Sequence, residues 1–178
     1  MEKETKSSKS KIAKILQQVQ EKYNMGETGH EETREILSFL IGDEIYAIDI
    51  LNVYEIVVPG KIFNAPTTPP YVIGVINLKG EVLPVIDLKQ FLGISETLMG
   101  IDSRIIVVGE RSKLGLLVES TIDIIYVPVR EIQPALATIE KIKADYFDGE
   151  ILFDDKLISL LNLEKIITSK EIIKPGGS

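Results

Sequence analysis

The 178-residue sequence has no cysteine, no tryptophan and a single histidine, His30. Without cysteine there is no disulfide, no thiolate nucleophile, no iron–sulfur cluster and no cysteine-based zinc site. One imidazole cannot supply the histidine clusters of most catalytic zinc sites, and His30 stands in a polar stretch ahead of the first apolar run. Positive charge is in deficit. Twenty Lys plus Arg face 27 Asp plus Glu, a net charge of -7, where a chain that reads phosphate backbones usually carries a basic surplus. No apolar run approaches the ~18 residues of a membrane helix, and the Lys- and Ser-rich N-terminus lacks the apolar stretch of a signal peptide. The expectation is a cytoplasmic protein that neither binds nucleic acid nor inserts into a membrane.

The phosphate cradles are missing too: there is no Gly-x-x-x-x-Gly-Lys-Ser/Thr loop and no Gly-x-Gly-x-x-Gly after a strand. Asp148, Glu150, Asp154 and Asp155 do not have the ligand spacing of a calcium loop and read as a solvated hairpin tip. No Gly-x-Ser-x-Gly elbow occurs, so an enzyme would have to work with Asp, Glu, Lys or Tyr alone. A non-enzymatic protein without metal or cofactor is expected.

What the sequence does have is β-branched residues, with 28 Ile and 13 Val in a chain that is 44% apolar. These side chains suit a pleated, half-buried surface. Their alternation predicts strands over Ile36–Ile41, Ile45–Ile50, Val72–Leu78, Glu81–Ile86, Arg104–Val108, Gly115–Glu119, Ile122–Val127, Glu150–Phe153 and Leu157–Leu161. Turn signals such as Gly42-Asp43, Lys79-Gly80 and Asp154-Asp155 separate them. Leu51–Ile56 and Leu163–Ile167 read as helical, and Leu88–Leu92 as at most one turn. Many short strands with few helices point to small antiparallel barrels or a sandwich.

The pattern around Gly80 recurs loosely around Asp154, each hairpin being followed by a short helical turn. This gives two related β subdomains, about 42–100 and about 35–41 plus 101–168, with Gly93 to Ser103 as the crossing between them. Residues 169–178 are a tail. Residues 1–34 form a polar extension in which Ile12, Ile15, Leu16, Val19 and Tyr23 make one face of a helix. A frayed tail, a docking helix and a membrane-surface helix are the open readings of that segment.

The most distinctive run is Gly74-Val-Ile-Asn-Leu-Lys-Gly-Glu-Val-Leu-Pro-Val-Ile-Asp-Leu88. With Leu37-Ser-Phe-Leu-Ile-Gly-Asp-Glu-Ile-Tyr-Ala-Ile-Asp-Ile50 and Val53-Tyr-Glu-Ile56 before it, it is similar to CheW-type chemotaxis coupling proteins. Ile105-Ile-Val-Val108, Gly115-Leu-Leu-Val-Glu119 and the closing Leu157–Leu163 extend the resemblance, in order, from residue 35 to about 168. It implies two intertwined five-stranded SH3-like β-barrels with a further apolar core between them and no enzymatic activity. The implied partners are the regulatory domain of the histidine kinase CheA and the cytoplasmic tip of methyl-accepting chemotaxis receptors.

Carried over by motif, the kinase-facing patch comprises Leu37, Ile50 and Val53; the alternative for Ile50 and Val53 is that they fill a barrel core. The receptor-facing groove comprises Gly74, Ile105, Ile106, Gly115 and Ile124, although consecutive Ile105 and Ile106 must point to opposite faces. Glu55 and Lys79 match a charged pair in which the family usually has Arg, and Lys offers a point charge in place of a bidentate fork. Glu119 stands where Asp is usual. Two other readings are the adaptor half of a phosphorylation-regulated coupling protein without its receiver domain, and a small-ligand-binding β-barrel.

Overall fold

The computed structural model describes residues 11–18, 31–135 and 144–169. Among these the strands are β1 (Thr33–Ile41), β2 (Glu44–Asp49), β3 (Val53–Val57), β4 (Val72–Leu78), β5 (Glu81–Asp87), β6 (Arg104–Val108), β7 (Leu114–Val118), β8 (Ser120–Pro128), β9 (Phe147–Phe153) and β10 (Lys156–Leu161). They form two five-stranded sheets, ordered β8-β1-β2-β10-β9 and β3-β6-β7-β5-β4. One pair in each sheet is parallel, β2 with β10 and β5 with β7, and the other pairs are antiparallel.

The sheets therefore repeat one plan, and the repeat reaches individual residues. The amide of Asp87 donates to Tyr71 O at 2.7 Å, and that of Asn162 to Tyr146 O at 2.8 Å. Asp87 and Asn162 then cap the short helices Leu88–Phe91 and Leu163–Ile167 through their side-chain oxygens. Gly74 and Gly149 have φ of 149° and 155°, and a Cβ on either would strike a backbone carbonyl, of Phe63 or Gln133 respectively. Glycine is required where another stretch of backbone approaches so closely.

Burial explains why the strands are so apolar. Ile36, Ala47, Ile125, Val127, Ile151, Ile158 and Leu160 fill the core of the first barrel, and Ile76, Leu83, Val85, Ile105, Val107 and Leu117 that of the second. The opposite faces of both sheets meet in a third core, in which Leu37, Phe39 and Ile48 pack with Ile86, Ile106, Leu116 and Val118. Strands covered on both faces have no polar face to show, so β6 and β7 read as continuous hydrophobic runs. Ser38, a buried polar residue of β1, has a local task. Its hydroxyl donates to Asp123 O and accepts from Asp123 N where the β1–β8 register shifts.

Several expectations are corrected. Residues 53–56 are strand, not helix: after the single 3-10 turn Ile50–Asn52, β3 turns Tyr54 and Ile56 outward and Glu55 inward. That inverted polarity hides the strand. The subdomain division also differs, since the second barrel takes all of β3 to β7 and the first takes β1, β2 and β8 to β10. Gly93 to Ser103 thus connects two parts of the second barrel. The crossings are the turn Ile50–Asn52 and Glu119, the residue between β7 and β8. Thr33 and Arg34 belong to β1, not to the extension, and Glu150 is buried in β9 while Asp154 and Asp155 make the hairpin tip. Residues 11–18 are helical, as the periodicity predicts. Val19, Tyr23, His30 and the tail beyond Ser169 lie outside the described residues.

Candidate interaction surfaces

The titratable groups that shift do so away from chemistry. Burial, together with the Glu44 carboxylate to which its hydroxyl donates at 2.6 Å, raises the Tyr46 pKa. Glu35 accepts from the Tyr126 hydroxyl at 2.9 Å and raises that phenol too. The ammonium of Lys113 is raised by its hydrogen bond to Glu81, 3.1 Å away. Each shift deepens a protonation state that the group already has at neutral pH, so none is tuned as an acid or base near pH 7. Among the described residues no group of three or more His, Asp or Glu side chains could hold a metal ion.

Exposed apolar side chains, by contrast, are grouped. At the edge strand β3, Leu51 is 86% exposed on the preceding turn and is followed by exposed Tyr54, Ile56 and Val58. The Tyr54 ring lies under the Lys113 ammonium, 3.9 Å from the ring centroid. Beside this patch Lys79 reaches Glu55 at 3.4 Å. Lys79 and Gly80 have φ of 52° and 86°, a two-residue hairpin turn, and Asn77 Oδ1 accepts from the Gly80 amide. The expected charged pair is present, with Lys79 largely in solvent.

At the other sheet's edge, β8 turns Ile122, Ile124 and Tyr126 outward while Ile125 and Val127 enter the first barrel. The two edges are related by the repeat and share a relation to the third core. Ile56 lies opposite Ile106, and Ile124 opposite Leu37; both partners belong to that core. Side chains directly opposite across a strand pair share a face of the sheet, so Ile56 and Ile124 continue the third core out to its two exposed rims.

This geometry sorts the residues carried over by motif. Leu37 is buried in the third core and cannot belong to a surface patch. Ile50 and Val53 are half-buried against the same core, beside exposed Leu51 and Tyr54. Ile105 and Ile106 are both 0% exposed, one in the second barrel and one in the third core, so neither lines a groove. Gly74 and Gly115 are buried packing positions; a Cβ on Gly115 would come within 2.6 Å of Ile105 Cγ2. Of the receptor-facing set only Ile124 stands at the surface. Sequence reasoning missed Leu51, Tyr54, Ile56, Ile122 and Tyr126. The alternation of Ile122, Ile124 and Tyr126 against Ile125 and Val127 was the available signal for the last two.

Glu119 holds the second crossing. It accepts from the Gly42 amide at 3.0 Å and pairs with Lys89 at 2.7 Å, tying the β1–β2 turn of one barrel to the helix Leu88–Phe91 of the other.

The sequence matches the CheW-like domain over residues 35–171. It is 34% identical to the chemotaxis protein CheW of Helicobacter pylori over 140 residues, covering 78% of this chain and 84% of that one. The identity to the chemotaxis protein CheW of Rhizobium meliloti is 33% over 139 residues, 78% of this chain and 90% of the relative. Among solved structures, the scaffolding protein TtCheW of Thermoanaerobacter tengcongensis superposes with a TM-score of 0.70 at 32% identity, covering 82% of this chain and 95% of that one. A match over so much of the chain, on the same paired-barrel fold, makes this protein a member of the CheW-like domain family.

Proposed function

We propose that the protein is a non-catalytic chemotaxis adaptor that couples methyl-accepting receptors to the regulatory domain of the CheA kinase in the cytoplasm. The observation that carries this reading is the pair of exposed apolar rims, Leu51, Tyr54 and Ile56 on one side and Ile122, Ile124 and Tyr126 on the other. Both flank one rigid core. An adaptor needs two surfaces that are occupied at once and do not overlap, and its function is then the coupling free energy between two partners' states. Apolar groups at the centre of a patch with charged groups around it make such a surface.

The kinase-facing patch is assigned to Leu51 and Tyr54 beside half-buried Ile50 and Val53, and the receptor-facing surface to Ile124 with its neighbours on β8. Among the described residues no helix is long and apolar enough to cross a membrane, which is consistent with attachment to receptor arrays through partners. The reading is tested by reconstituting receptor-bearing vesicles with CheA and measuring kinase autophosphorylation. Adding this protein is expected to place the kinase under control of receptor ligand. Kinase activity that ignores ligand with and without the protein would contradict the adaptor role.

A further inference from the structure

The helical residues 11–18 present Ile12 and Leu16 to solvent, and Lys11 flanks that apolar face. Of the exposed apolar patches among the described residues, the stripe on β8 lies beside the place where the chain enters the first barrel. Thr33, the first residue of β1, lies opposite Pro128, and β8 runs back from there through Tyr126, Ile124 and Ile122. We propose that the amphipathic segment around residues 11–18 docks on the β8 stripe of its own chain and acts as a removable cover for it.

Dimensions, reach and charge support this occupant. Eight helical residues are about 12 Å long, and Ile122 to Tyr126 span about 13 Å of strand. Residues 19–32 separate the helix from β1 and can extend to at most about 45 Å, whereas the far end of the stripe lies roughly 20 Å along β8 from Pro128. Tethering supplies an effective concentration on the order of millimolar, so a contact too weak to form between separate molecules can form within one. Residues 1–30 carry six Lys against four Glu, or +2, which leaves -9 on the remainder. Near the stripe this acidity is represented by Glu35 and Asp123.

Docking would cover Ile124, so the segment and a receptor would compete for the same strand. That consequence rests on the proposed function; the docking itself does not. The absence of cysteine makes a direct test clean. Leu16→Cys is combined with Ile124→Cys, and separately with Ile122→Cys in case the first pair fails to fold. The control pairs Leu16→Cys with Leu157→Cys, an exposed apolar position on β10. After mild oxidation of the full chain at low concentration, the β8 pairs are expected to form an intramolecular disulfide about tenfold faster than the control. Equal rates, or no intramolecular product from either folded β8 pair, would overturn docking. A disulfide-linked dimer as the only product would overturn it as well, because the stripe would then be meeting a second copy. Intramolecular linkage together with unchanged receptor binding would leave the docking intact and refute the competition.

Discussion

At the residue scale, the same side-chain chemistry has opposite meanings at neighbouring positions. Ile105 and Ile106 disappear into two different cores, while Ile122 and Ile124 stand at the surface. Tyr46 shows how folding can hold a proton without any catalytic purpose. Its ring packs against Phe39 and Phe147 and its hydroxyl is committed to Glu44, which raises its pKa from 10.0. The unfolded chain, with the ordinary value, loses this proton first as pH rises. The contribution to stability is therefore complete below about pH 10 and is lost above it. Denaturation curves collected between pH 8 and pH 11 are expected to show stability falling above pH 10, with a shallower fall in Tyr46→Phe; identical slopes would show that Tyr46 does not carry the effect.

At the scale of elements, the two crossings decide how the barrels are joined. Asp49 accepts from the Leu51 amide at one and pairs with Arg34, and Glu119 clamps the other. Removing the Glu119 carboxylate leaves the Lys89 ammonium and the Gly42 amide without that partner, and a half-buried unmet donor is costly. Glu119→Ala is expected to destabilise the protein by about 1 to 3 kcal/mol in urea melts; a loss below about 0.5 kcal/mol would mean the clamp is solvent-replaced.

Elements also show what was readable from sequence. β4, β6 and the helix Leu163–Ile167 have the bounds that the pattern predicts, because each is a short apolar-rich run set off by turn or cap residues. β3 was hidden because an edge strand need not send its apolar residues inward. The barrel membership of β2, β6 and β7 was not readable, since it rests on the parallel pairings β2–β10 and β5–β7 between residues far apart in sequence. A motif likewise does not say which way a residue faces, and so Leu37, Gly74, Ile105, Ile106 and Gly115 were expected at surfaces although the structure buries them.

At the scale of the whole molecule, a fold with three cores gives the two exposed apolar rims a common rigid support. The third core draws on both sheets, so the rims at Ile56 and Ile124 cannot shift independently without disturbing Ile106 or Leu37. The central claim is that these are two separable docking surfaces on one adaptor. The most direct measurement is calorimetric binding of the folded wild type, Leu51→Arg and Ile124→Arg, each titrated with the isolated CheA regulatory domain and with a receptor hairpin tip. The wild type is expected to bind both partners. Leu51→Arg is expected to lose the kinase domain and keep the receptor, and Ile124→Arg to do the reverse. A wild type that binds neither partner, or a folded variant that loses both or neither, would contradict the account.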